Sequence, residues 1–314
     1  MIGGFAFGAI FRKFSVFKNV IMYRIAPGWS LSAEEVEARL QDNPFVECGA
    51  SQEKSIGWVA PRGEANGPLL EAVAGQWILK LMTETRALPA SVVNRKALER
   101  VAQIEASTGR KPGKKETRDL KDDIRLELLP MAFTKQSSTR VWIDRDAQLL
   151  VTDAGSQARA DELVTLLVQG LPGLALSLID TQISPGAAMA EWLVSQEAPP
   201  GFSVDRECEL KAADESKAVV RYARHRLDTD EVRQHIEGGK MPTRLALTWN
   251  DRVSFVLTEG LQLKKLAFLE GVLEGASPGK DDGFDADVAI ATGELQKALP
   301  ELLEALGGER VLPT

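Results

Sequence analysis

The chain has 314 residues, is 44% hydrophobic and 26% charged, and carries a formal net charge of −7. This length buries a sizeable core and fits two domains better than one, and an ordinary share of charge argues against disorder. The acidic balance excludes general attraction to polyanions, although a local basic surface can coexist with it, because distribution counts for more than the sum.

No stretch approaches the roughly 20 apolar residues that a membrane-spanning helix requires. Met1 to Ile10 is apolar and glycine-rich, but Arg12 and Lys13 follow it rather than precede it. Residues 1–13 therefore read as an N-terminal extension and not a signal peptide, with a short membrane-touching tail as the alternative. The next run, 19–25, reads as an apolar strand. Ser32 and Glu35 make a capping box, and Val36 and Leu40 share one face of the helix behind it. Residues 78–82 read as another strand. Pro89 then suits an early helical position; Val93, Ala97, Val101 and Ile104 repeat at helical spacing, and Gly109 ends the run. After Lys111-Pro112-Gly113 a second helix has Leu120, Ile124 and Leu128 on its apolar face and Pro130 as its stop. Two helices about a tight basic connection predict a helical hairpin, inserted between strands. Strands over 138–143 and 149–153, a helix over 158–169 and a strand over 175–179 complete a mixed sheet with attached helices.

Ser184-Pro185 predicts an N-cap followed by proline at the first helical position, with Trp192 in that helix. Strands follow near 202–210 and 217–224. Asp228 and Glu231 predict a further capping box, and Gly238 the end of its helix. Leu245, Leu247 and Trp249 alternate with polar or smaller residues, and Asn250-Asp251 can turn the chain into Val253, Phe255 and Leu257. Residues 263–268 and 288–290 extend this sheet in the same reading, 275–283 is a loop, and Leu295, Leu299, Leu302 and Leu306 line a final helix. The fold class is α+β: two linked mixed or antiparallel sheet regions with a projecting helical hairpin.

Cys48 and Cys208 sit in no metal-ligand pattern and read as buried thiols in a reducing compartment. His225 and His235 make no zinc motif. No phosphate-binding loop or nucleophile elbow occurs. Asp285 and Asp287 could hold a metal with other carboxylates, as nuclease sites do, but two acids are weak evidence, and a loop or helix-start role fits them better.

Three basic or aromatic features stand out. Arg110, Lys111, Lys114, Lys115, Arg118 and Lys121, followed by Arg125, occupy the hairpin turn and second helix, interleaved with acids. They fit either a polyanion contact or a solvated helix face with pairs such as Lys115–Asp119. Arg221, Arg224, His225 and Arg226 precede the capped helix. A strand would put Arg224 and Arg226 on one side, where guanidinium forks suit phosphate oxygens, while charge on an edge strand serves equally as protection. Phe133, after the helix-ending proline and just before Lys135, reads from burial statistics as a core plug; its alternative is a wedge at a tip.

Short runs spread along the chain also match a known family. They include Phe17-Lys18-Asn19, Gly57-Trp58-Val59, Gly109-Arg110-Lys111, Leu129-Pro130 with Ala132-Phe133, Trp142-Ile143-Asp144, His235-Ile236-Glu237, Phe284-Asp285-Ala286-Asp287, Thr292-Gly293-Glu294-Leu295 and Glu304-Ala305-Leu306-Gly307-Gly308-Glu309. In order and spacing, residues 17–309 resemble the recombination-associated protein RdgC family. The resemblance implies a ring-shaped homodimer with a positively lined hole, binding double-stranded DNA with little sequence preference. It implies restraint of the RecA recombinase by occupation of DNA, in the cytoplasm at the nucleoid, with no membrane, metal, cofactor or catalytic activity. Phe133 falls at the family's fingertip aromatic, and Arg224-His225 at a Lys-Gln pair implicated in DNA contact; Met131 replaces a fingertip arginine. The expected domains are 14–85 with 134–182, a tip insertion over 86–133, and a second α+β domain over 183–314. The expected DNA-binding set is Arg110, Lys111, Lys114, Lys115, Arg118, Phe133, Lys135, Arg221, Arg224, His225 and Arg226. The alternative function is a protein-interaction inhibitor that contacts the recombinase directly.

Overall fold

The computed structural model describes residues 16–273 and 283–310; the extension over 1–13 and the loop over 275–282 lie outside the described residues. In chain order the elements are β1 (Ile21–Ile25), α1 (Ala33–Leu40), β2 (Lys54–Trp58), β3 (Leu70–Val73), β4 (Gln76–Ala87), α2 (Ala90–Thr108), α3 (Lys114–Leu128) and a 3-10 turn (Leu129–Met131). Then come β5 (Phe133–Asp144), β6 (Leu149–Thr152), α4 (Gln157–Gly170), β7 (Leu176–Leu178), α5 (Pro185–Ser195), β8 (Phe202–Ala212) and β9 (Val219–Ala223). The chain continues through α6 (Asp230–Glu237), β10 (Lys240–Trp249), β11 (Val253–Thr258), β12 (Leu263–Phe268), α7 (Glu270–Leu273) and α8 (Gly283–Ala305). The fold is α+β. Among the described residues, one sheet has the strand order β2-β4-β5-β6-β1-β7 with β3 on β4, and the other the order β12-β11-β10-β8-β9. The strand pairings within each unit are antiparallel, and an isolated parallel bridge joins Pro44 to Trp58.

The chain divides into two compact units: Leu31–Glu71 with Ile78–Val141, and the described residues of Met1–Ser30, Ala72–Trp77 and Trp142–Thr314. In the first, the expected capping box closes α1: Glu35 N donates to Ser32 Oγ at 3.2 Å, and Ser32 N to the Glu35 carboxylate at 2.7 Å. Gly57 is required by close approach, because a Cβ there would stand 2.5 Å from the Phe45 backbone. The helical hairpin α2–α3 joins β4 to β5. Pro89 is its N-cap, and Gly109 closes α2 in the left-handed region that glycine adopts freely. Val93, Ala97, Ile124 and Leu128 bury one another between the two helices. Arg86 anchors the hairpin base, donating to the carbonyls of Cys48, Gly49, Leu129 and Ala132 at 3.1–3.3 Å.

In the second unit β1 lies between β6 and β7, and the five-stranded sheet buries Leu245, Leu247, Trp249, Val253, Phe255 and Leu257. Asn250 and Asp251 take positive φ, 44° and 52°, as a mirror-image hairpin turn demands. Residues 288–290 are not a strand. They belong to α8, whose buried Val288, Ala291, Leu295, Leu299 and Leu302 recur at helical spacing. The short apolar run carried no period of its own, and the helical stripe that continues past it decides its conformation.

Candidate nucleic-acid interface

The hairpin presents its cations to solvent. Lys111, Lys114, Lys115 and Arg118 are exposed and hold no side-chain hydrogen bond or ion pair among the described residues, so the expected Lys115–Asp119 pair is absent. The ionic reading holds for others: Arg110 forks onto Glu116 at 3.0 and 3.2 Å, and Arg125 meets Asp122 at 3.2 Å. Exposed pairs of this kind contribute little to stability. Lys121 is half-buried and Lys135 exposed. Phe133 is not a core plug. Its side chain is 87% exposed and that of Met131 69%, because Pro130 draws the chain out of α3 through a 3-10 turn before β5 begins.

The second basic segment departs from its expected geometry. β9 ends at Ala223, and Arg224 takes φ +55°, so Arg224 and Arg226 do not alternate along a strand. His225 N donates to the Arg206 carbonyl at 3.1 Å, and the His225 ring lies 5.4 Å from Tyr222. Arg221 is held by Glu209 at 2.6 Å, and Arg226 forks onto Asp228 at 3.0 and 2.5 Å. That fork holds the Asp228 carboxyl below its ordinary range. It also removes Asp228 as a cap: Thr229 is the N-cap of α6 and makes no capping bond, and Glu231 accepts from Tyr222 Oη at 3.1 Å. The predicted capping box failed because a stronger charge-assisted pair took its carboxylate.

Register brings further cations beside this segment. Directly opposed residues of antiparallel strands share a face. Glu209 opposes Arg221 on β9 and Arg244 on β10, Arg244 opposes Thr258, and two residues along β11 Val256 opposes Lys264 on β12. Arg221, Arg244 and Lys264 thus share the sheet face opposite the Leu245, Leu247 and Trp249 core. Burial and then the charge of Arg244 push the Lys264 ammonium below its ordinary value. On Glu209 burial acts upward, but hydrogen bonds from Thr243 and Arg221 and the charge of Arg244 prevail and lower it. Arg206, Arg244, Lys264 and Lys265 were missed from sequence. The signal for Arg244 was present in the polar phase of the alternation whose apolar phase marked β10.

Other candidates separate from these surfaces. Cys48 and Cys208 are free and buried, and burial pushes the Cys208 thiol up to about 12. Asp285 lies in the first turn of α8, and Asp287 follows in the same helix. No group of three or more His, Cys, Asp or Glu residues suited to a metal ion occurs among the described residues. No helix there is long and apolar enough to cross a membrane.

Fold and surfaces together define an α+β protein on two antiparallel sheets, with a helical hairpin that is basic at its turn and exposes Met131 and Phe133 where it rejoins the sheet, and a cation-bearing sheet face. A family model described as "Putative exonuclease, RdgC" matches residues 16–309. The recombination-associated protein RdgC of Dechloromonas aromatica (strain RCB) is 46% identical over 301 residues, covering 94% of this chain and 98% of the relative. Those of Cupriavidus pinatubonensis and Bordetella pertussis are 48% and 43% identical over 297 residues, covering 94% of this chain and 99% of each relative. The chain belongs to the RdgC family of recombination-associated proteins.

Proposed function

We propose that the protein is a sequence-independent double-stranded DNA-binding protein. It acts as a ring-shaped homodimer that encircles the duplex at the nucleoid and restrains RecA-type recombination by occupying DNA, without cleaving it. The observation that carries this reading is the gathering of Arg221, Arg244 and Lys264 on one sheet face, beside Arg206, Arg224 and Arg226, in a chain of net charge −7. Lysine and arginine that meet phosphates release counterions, an attraction that reads no bases. Arg110, Lys111, Lys114, Lys115 and Arg118 of the hairpin, with Lys135 and Phe133, supply the other contact, and His225 adds charge when protonated.

Encirclement is tested by lifetime. Complexes on closed circular duplex should outlive those on linear duplex, where a ring slides off the ends; equal lifetimes contradict it. Long incubation with magnesium or manganese should leave plasmid intact, and accumulating product would restore a nuclease reading. A direct protein contact is the second reading, favoured by the exposure of Met131 and Phe133. A recombinase pull-down that survives nuclease treatment supports it.

A further inference from the structure

The polar face of the five-stranded sheet contains a cavity of about 280 Å³ whose polar lining includes Asp205, Arg206, Glu207, Arg224 and Lys265. Two irregularities build it. Between the Cys208–Leu245 and Val204–Leu247 pairs β8 places three residues, Asp205, Arg206 and Glu207, against the single Ala246 of β10. Between the Ala267–Ser254 and Lys264–Val256 pairs β12 carries one more residue than β11. Bulges of this kind re-aim side chains. Lys265 takes φ +54° and Arg224 φ +55°, a conformation that costs a side-chain-bearing residue about 1–3 kcal/mol. Both strained residues line the same cavity, and both carry positive charge.

The lining is only partly neutralised. Arg206 and Arg224 hold no side-chain hydrogen bond or ion pair among the described residues. Asp205 is engaged by the Thr248 hydroxyl at 2.9 Å, and Lys265 by the Glu207 carboxylate at 2.5 Å. Two carboxylates thus line the cavity against three cations; Glu207 is bonded to Lys265 and Arg206 also acts on the nearby Asp228, but both guanidinium forks keep their hydrogen-bond donors for a tetrahedral oxyanion.

We propose that this cavity seats one backbone phosphate of bound DNA. Arg206, Arg224 and Lys265 are its ligands, and Glu207 is the carboxylate that the phosphate displaces from Lys265. The inference rests on the DNA-binding reading and adds Arg206, Lys265 and the competing Glu207 to it. Glu207 sets the affinity of the seat by occupying Lys265 when DNA is absent.

The test is binding of the full chain to a short random-sequence duplex across a salt series. Arg206→Gln and Lys265→Gln should each flatten the slope of log K against log salt by about 0.9, the contribution of one phosphate. The double substitution should flatten it by the same single increment, because both side chains serve one seat. Glu207→Gln should tighten binding more than Glu215→Gln, which removes the same charge in the β8–β9 connection. Matching melting curves confirm that each variant folds. The seat is overturned if the single variants keep the wild-type slope, if the double variant loses twice the increment, or if the two glutamate variants behave alike. A wild-type protein that binds no duplex would instead overturn the DNA-binding reading, and the seat with it.

Discussion

The helical hairpin and the five-stranded sheet both present positive charge, but they arrive at it by different routes. In the hairpin, Lys111, Lys114, Lys115 and Arg118 lie within eight residues of sequence on a turn and one helix, and a small buried cluster of Val93, Ala97, Ile124 and Leu128 joins the two helices. In the sheet, Arg206, Arg224, Arg244 and Lys265 come from separate segments, and register and bulges bring them beside one another over a large core. Local charge needs little structure and stays adaptable. Charge assembled by register is fixed in position, and carboxylates hold Lys265 and the neighbouring Arg221 and Arg226 in place.

This contrast can be broken from either side. The largest expected effect is on the hairpin: Ile124→Ala empties its small core and should cost about 2–5 kcal/mol locally. Hydrogen exchange should then show lost protection over 90–128 and retained protection over 240–258; uniform loss across both would mean that the hairpin has no separate stability. Next comes the sheet segment. Arg224→Ala with Arg226→Ala should weaken binding to unrelated DNA sequences by similar factors, measured by anisotropy, because phosphate contacts read no bases.

A smaller effect concerns acid. The Arg252 hydrogen bond, with burial opposing it, holds the Glu294 carboxyl below its ordinary value, and the two groups meet at 2.6 and 2.7 Å. A carboxylate lowered in the folded state contributes stability above its unfolded pKa and loses it as pH falls through the folded value. The melting temperature should therefore fall as pH drops through and below the usual carboxylate range, and Arg252→Gln should shrink that fall; an unchanged pH profile would mean that the pair adds no pH-dependent stability. The smallest expected effect is Phe133→Ala, which should change stability by no more than about 0.5 kcal/mol, since the residue is 87% exposed. A larger loss in thermal melting would show that Phe133 is buried in solution.

The hairpin was legible in the sequence because its signals are local: Gly109, Gly113 and Pro130 punctuate it, and Val93, Ala97, Ile124 and Leu128 carry the helical period. Pro89, read as an early helical position, is the N-cap itself. The sheet face was less legible. Arg206 and Lys265 lie at register shifts, where the period-two rule that assigns faces fails. Asp228 carried the sequence signature of a capping residue but found an arginine two positions away. Phe133 was misjudged from average burial because no local rule says that β5 begins exposed.

Attraction to phosphates is the force on which the proposed binding depends most, and a salt titration of the wild-type protein tests it directly. Duplexes of unrelated sequence should give steep, parallel, falling lines of log K against log salt. A flat response, or lines that separate strongly by sequence, would contradict phosphate-driven binding.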